Sequence, residues 1–212
     1  MSHQSDDLIN RLTSDLEPIK VIQFGLKELI KVVFVGLICV FAAVIISGIR
    51  TDIREVVITK QFIFHTATLI ILCLISILTA FSLSIPSQDI QPFYRRPIFY
   101  IVIYILSLLS LFLTTSDPFL YLGHGFTCFI EILYISILPA ALLFYLIRRA
   151  AALRRDFLGV MVLLSGVSFG LLGVQLTCTD ESPIHLFFWH LFPSFLIMGT
   201  GIFIARKVFA KI

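Results

Sequence analysis

Uncharged apolar runs long enough to cross a lipid bilayer recur along most of this chain, and no other feature limits its fold so severely. A helix of about 20 residues crosses a hydrocarbon core of about 30 Å, where every backbone polar group must be satisfied within the protein. Such runs stand at Val32 to Ile49, Phe62 to Ile85, Ile98 to Leu113, Phe126 to Ile147, Phe157 to Leu176 and Leu186 to Ala205. The expected fold class is all-α. It is an integral membrane six-helix bundle over residues 31–212, preceded by a cytoplasmic N-terminal segment, residues 1–30, with a short amphipathic helix. The third run is the shortest, and Thr114 and Thr115 can prolong it because their hydroxyls bond back to the preceding turn. A soluble domain is excluded by composition: of 212 residues 58% are hydrophobic and 14% charged, and the charges cluster between the runs.

A cleaved signal peptide competes for the first run, because Lys27 and Lys31 precede it. That run exceeds the usual apolar region of such a peptide, and Ile46-Ser47-Gly48-Ile49 lacks small residues at cleavage spacing, so an uncleaved span is expected. Orientation follows from lysine and arginine, which concentrate on the cytoplasmic side. Of the 16 such residues, only Arg50, Arg54 and Lys60 fall on the other side. Both termini are therefore expected inside, which requires an even number of spans. The basic clusters act as topology signals and as contacts to membrane lipids with anionic head groups, and the net charge of +3 implies no direct nucleic acid partner.

Residues 1–30 are the one stretch long and polar enough to act in the cytoplasm. Leu8, Ile9, Leu12 and Leu16 fall at helical spacing, Asp6 and Asp7 suit a helix N-terminus after a Ser5 cap, and Pro18 ends the run. Such a helix either lies on the membrane surface or binds a partner, and its acidic, mixed polar face favours a protein partner over an anionic leaflet. No repeat or linker divides the rest. The loops Pro86 to Pro97 and Arg148 to Asp156 are too short to fold alone.

On the outer side the parity of the spans gathers a polar set: His124, Cys128 and Glu131 around the start of the fourth run, Cys178 and Asp180 after the fifth, and His185 and His190 at the start of the sixth. An extracytoplasmic cysteine pair is exposed to oxidants and soft metals. Cys39 and Cys73, inside apolar runs, are expected to pack as small hydrophobes. Three readings of the outer set stay open. Cys128 and Cys178 form a disulfide or redox-responsive pair; Cys128, Cys178, His185 and His190 transiently bind zinc or copper; or these side chains only pack. The metal reading lacks a CxxC or HxxxH motif, and residues 185 and 190 diverge on a regular helix. Trp189 is expected as an interfacial anchor.

The stretch Leu176-Thr177-Cys178, followed by Asp180, His185 and Trp189-His190 and ending in a last helix with Arg206-Lys207, resembles the C-terminal signature of the NrsF-like proteins, negative regulators of a sigma-F type sigma factor. Leu8-Ile9 with Leu12, Leu16 and Pro18 looks like that family's N-terminal motif, and Cys128 matches its other characteristic cysteine. The likeness covers essentially the whole chain, although Phe209-Ala210-Lys211-Ile212 departs from the arginine-rich, often tryptophan-terminated family end. The resemblance implies an anti-sigma factor of the bacterial inner membrane and no enzyme. Its N-terminal segment would hold an extracytoplasmic-function sigma factor, and a heavy-metal or oxidative signal felt at Cys128 and Cys178 in the periplasm would release it. The alternatives are a membrane thiol-disulfide oxidoreductase, for which the chain lacks CxxC, and a small metal transporter, for which charges deep in the spans other than Glu131 are missing.

Overall fold

A computed structural model describes residues 25–85, 91–114, 125–148 and 154–209, with side chains for all of these except 91–95 and 110–114. Leu8, Ile9, Leu12, Leu16, Pro18 and His124 lie outside the described residues. Seven helices follow in order: α1 Leu26–Ser47, α2 Ile53–Val56, α3 Lys60–Leu83, α4 Gln91–Thr114, α5 Phe126–Ile147, α6 Arg155–Thr177 and α7 Pro183–Val208. No strand occurs among the described residues.

Among the described residues five helices (α1, α3, α5, α6 and α7) are long and apolar enough to cross a membrane, not the expected six. The remaining expected span falls on α4, whose described apolar part, Arg96–Leu109, is shorter. This helix begins at Gln91, so it absorbs residues assigned from sequence to a loop, and it carries Pro97 inside it. Proline at position 92 falls in the first turn, where no helical hydrogen bond is lost, and Pro97 removes one bond of the ladder without ending the helix. Thr114 is helical, in line with the extension expected through it.

The bundle is built around α6. In its apolar window 83% of residues are buried, against 22% for α1, which turns Phe34, Phe41, Ile45 and Ile46 outward. In a bilayer, lipid tails would be as apolar as these side chains, leaving close backbone packing to supply the attraction between helices. Small residues on α6 permit it. A Cβ on Gly166 would stand 2.6 Å from the Ser136 carbonyl oxygen, and one on Gly170 would stand 2.7 Å from that of Ile132, so α5 and α6 touch backbone to backbone. Gly159 meets Gly201 of α7 in the same way.

Polar groups in this interior are satisfied locally. Ser165 and Ser168 donate to carbonyls one turn back, and the Gln175 amide donates to Thr66 Oγ1 and the Phe62 carbonyl, tying α6 to α3. Cys73 is 3% exposed and its thiol points at the Ser165 carbonyl, the packing role expected of it.

This arrangement gathers the end of α1, the start of α5, the end of α6 and the start of α7 at one end of the bundle. There the Arg50 N–H donates to the Leu176 carbonyl at 3.0 Å. At the opposite end Arg206 of α7 makes two bonds to Asp156 of α6, at 2.8 and 2.6 Å.

Candidate functional site

Cys178 stands where the chain leaves α6. Its N–H still donates to Val174, but its own backbone is extended, which turns the following loop back across the bundle end. Asp180 then accepts the Ser182 N–H at 2.8 Å, an Asx turn, and Pro183 opens α7 at a position where its missing N–H costs nothing. The tight return brings His185 Nε2 to 3.4 Å from Cys178 Sγ.

The next turn of α7 decides the site. In a regular helix residues five apart point about 140° away from each other, which is why His185 and His190 are expected from sequence to diverge. Leu186–Leu191 instead forms a π-helix, in which the N–H of Phe192 bonds the Phe187 carbonyl five residues back. Such a turn returns residues five apart to nearly one face. The two rings sit edge to face with centroids 5.1 Å apart, and both are buried. The expected divergence is corrected by this one widened turn.

Cys128, in the first turn of α5 and buried, completes the group. One ligand atom from each of Cys128, Cys178, His185 and His190 lies within 4.8 Å of the others. Bond lengths of about 2.3 Å to sulfur and 2.0–2.1 Å to nitrogen put the edges of a tetrahedral site at about 3.4–3.8 Å. The Cys178–His185 contact already has that length, so closing the set needs side-chain shifts of about 1 Å. Two further features suit an ion. His190 Nε2 is buried without a hydrogen-bond partner. His185 Nδ1 lies 3.3 Å from Asp180 Oδ2, at an angle too bent for a hydrogen bond, and a carboxylate behind the ring is what orients imidazole ligands. Two thiols and two imidazoles match zinc or copper(I). The same two sulfurs, both thiols here, could instead join as a disulfide of about 2.05 Å, so both chemistries are open to this site.

The environment favours the Cys178 thiolate. The neighbouring Cys128 thiol and then the His185 and His190 imidazoles outweigh the cost of its burial, which lowers its pKa from the ordinary thiol value. A lowered pKa keeps thiolate present as the pH falls. Alkylation of Cys178 in the metal-free protein, followed by peptide mass spectrometry, should therefore change less than about threefold between pH 8 and 6, whereas an ordinary thiol slows on the order of 100-fold. A fall as steep as that of an ordinary thiol would contradict the site's electrostatics.

Other expected residues divide. Asp180 sits behind His185 as described. Glu131 is no member of the cluster; its carboxylate accepts from Thr177 Oγ1 at 2.8 Å and from the Tyr134 hydroxyl at 3.3 Å. Trp189, expected as an interfacial anchor, lies against Gly125, where any Cβ would strike the indole.

Arg50 was the residue missed. Its charge reads from sequence as a topology signal only, yet it is 3% exposed. Nε and Nη2 donate to the two oxygens of Asp52 at 2.7 and 2.8 Å, while Nη1 donates to Glu181 at 2.7 Å. Together with its N–H on Leu176, these bonds fasten the C-terminal end of α1 to the loop that carries Cys178. The Arg-x-Asp sequence at positions 50 to 52, directly after an apolar run, was the available signal.

No curated protein and no solved structure was found to match the chain. A family model described as negative regulator of sigma F does match, over residues 12–210, so nearly the whole of the helical bundle and its cysteine and histidine cluster falls within it, and the chain belongs to the NrsF family.

Proposed function

We propose that this regulator is an inner-membrane anti-sigma factor that binds an extracytoplasmic-function sigma factor through residues 1–30 in the cytoplasm. It lets go when a soft metal ion or an oxidant reacts at Cys128 and Cys178 on the periplasmic side. The observation that carries the reading is the convergence of four soft donors within 4.8 Å at one end of the bundle. The tail leaves from the other end, since α1 runs its full 22 residues, about 33 Å, between the tail and the Arg50 fastening. In this reading α4 is the sixth span, both termini are cytoplasmic, and Leu8, Ile9, Leu12, Leu16 and Pro18 contact the sigma factor.

Arg50 supplies the mechanical link. Metal binding or disulfide formation draws Cys178 toward Cys128 and moves its loop, and the loop carries Glu181. Through Glu181 and the Leu176 carbonyl the movement reaches Arg50 and hence α1, whose inner end bears the tail. The predicted behaviour of Arg50→Ala is uncoupling. The two carboxylates it leaves are both partly exposed and can be hydrated, so the fold survives. Metal uptake by the purified variant should stay within a few fold of the parent, while induction of a sigma-dependent reporter drops by about fivefold or more. Parental induction in this variant would remove Arg50 from the path.

Pull-down of the solubilised full chain from its native host, with identification of what is retained, tests the function itself. A sigma factor in the retained fraction supports the reading, and reproducible recovery without one contradicts it.

A further inference from the structure

A cavity of about 810 Å3 opens beside the cluster, bounded by the end of α1, the outer part of α5 and the loop after α6. Cys128, Cys178 and His185 all line it, so three of the four donors are reached from this one space. Its charged lining is one-sided. Glu131 and Asp180 contribute carboxylates, and among the described residues no lysine or arginine faces it.

Glu131 is the unusual member. It belongs to a helix apolar enough to cross a membrane, it is 6% exposed, and among the described residues no cation is paired with it. Two hydroxyls, from Thr177 and Tyr134, hold the carboxylate in place. A carboxylate can accept about four hydrogen bonds, so coordination capacity remains. Burying such a group without a counter-ion is costly, and a cation entering the cavity removes that cost. Oxygen ligands hold soft metals more weakly than thiolates do, so an ion stopping at Glu131 passes on to the sulfurs instead of staying.

We propose that this cavity is a cation antechamber in which Glu131 captures an incoming metal ion and delivers it to the cluster. The proposal rests on the metal arm of the function above and adds the route of entry and its selectivity for cations over neutral oxidants.

Stopped-flow mixing of Co2+ with the metal-free full-length protein tests it, using the thiolate-to-cobalt absorption band as readout. Glu131→Gln should slow the appearance of the band by about tenfold or more at low salt, with the difference shrinking as salt screens the charge. The final band should keep its position, because the four ligands are untouched. Glu131→Asp should restore most of the rate. Reaction of the thiols with hydrogen peroxide, which is neutral, should be no slower in Glu131→Gln than in the parent. Unchanged cobalt loading in Glu131→Gln would overturn the antechamber, and so would an equal slowing of the peroxide reaction, which would make Glu131 a structural residue. If the parent protein itself gives no thiolate band, the metal arm of the proposed function fails instead.

Discussion

Cells carrying the chain with Cys128 and Cys178 both replaced by serine will hold sigma-dependent transcription at its uninduced level through a metal or oxidant challenge that induces the parent. The expected loss is the whole response. Serine keeps the size and a hydrogen-bonding group, so the bundle end, where Cys128 is buried, is disturbed little. It removes both the soft ligands and the only atoms that can form a disulfide there. A switch of this kind works through the difference in partner affinity between two states, and a coupling of about 1–3 kcal/mol corresponds to a 5- to 150-fold change. With the sulfurs gone there is one state, and that factor becomes one. Cys39 and Cys73 cannot substitute, since they lie within α1 and α3 rather than at the end where the histidines converge. A reporter that still responds in the double variant would place the sensor elsewhere.

Removing residues 1–20 should have the opposite phenotype, sigma-dependent transcription that is high without any signal. The bundle begins at Leu26, so the deletion leaves every described helix and the cluster intact. What it removes is the stretch with Leu8, Ile9, Leu12 and Leu16, which the sequence spaces as one face of an amphipathic helix. Burying four such side chains against a sigma factor is worth about 1.5–3 kcal/mol each before the cost of ordering the segment. Its loss is therefore expected to abolish binding rather than to weaken it. The truncated chain, checked for its cysteine and histidine cluster by metal uptake, should no longer co-purify a sigma factor. Retained co-purification would move the contact to the inner loops.

How much of this was readable from the chain depends on which physics sets each feature. The helices follow from apolar runs and the absence of water in the bilayer, and the strict alternation of direction already puts Cys128 and Cys178 at the same end. Cys73 among apolar neighbours behaves as its surroundings dictate. By contrast, the meeting of His185 with His190 depends on one widened turn that the 3.6-residue period cannot express. Pro193 is the hint that was there: lacking an N–H, it cannot serve the Trp189 carbonyl in a regular helix. Gly125 makes room for the Trp189 ring, a tertiary contact that residue spacing does not encode. The start of α4 was misplaced because prolines at 92 and 97 read as loop, although the first falls where a helix tolerates it. Arg50 was missed because its partner Glu181 is 131 positions away, and a surface charge and a buried latch look alike in a sequence.

The central claim, that chemistry at the Cys128–Cys178 end governs a partner held at the other end, can be measured in one preparation. The full-length chain would be purified with its sigma factor bound and reconstituted in lipid, then exposed to zinc, copper(I) or a thiol oxidant, and the sigma factor remaining on the protein quantified. The account predicts that the retained fraction falls by about fivefold or more once the cluster is loaded or oxidised, and that it stays constant in the double serine variant. Retention unchanged in the parent, with the thiols shown to be metal-bound or oxidised, would contradict it.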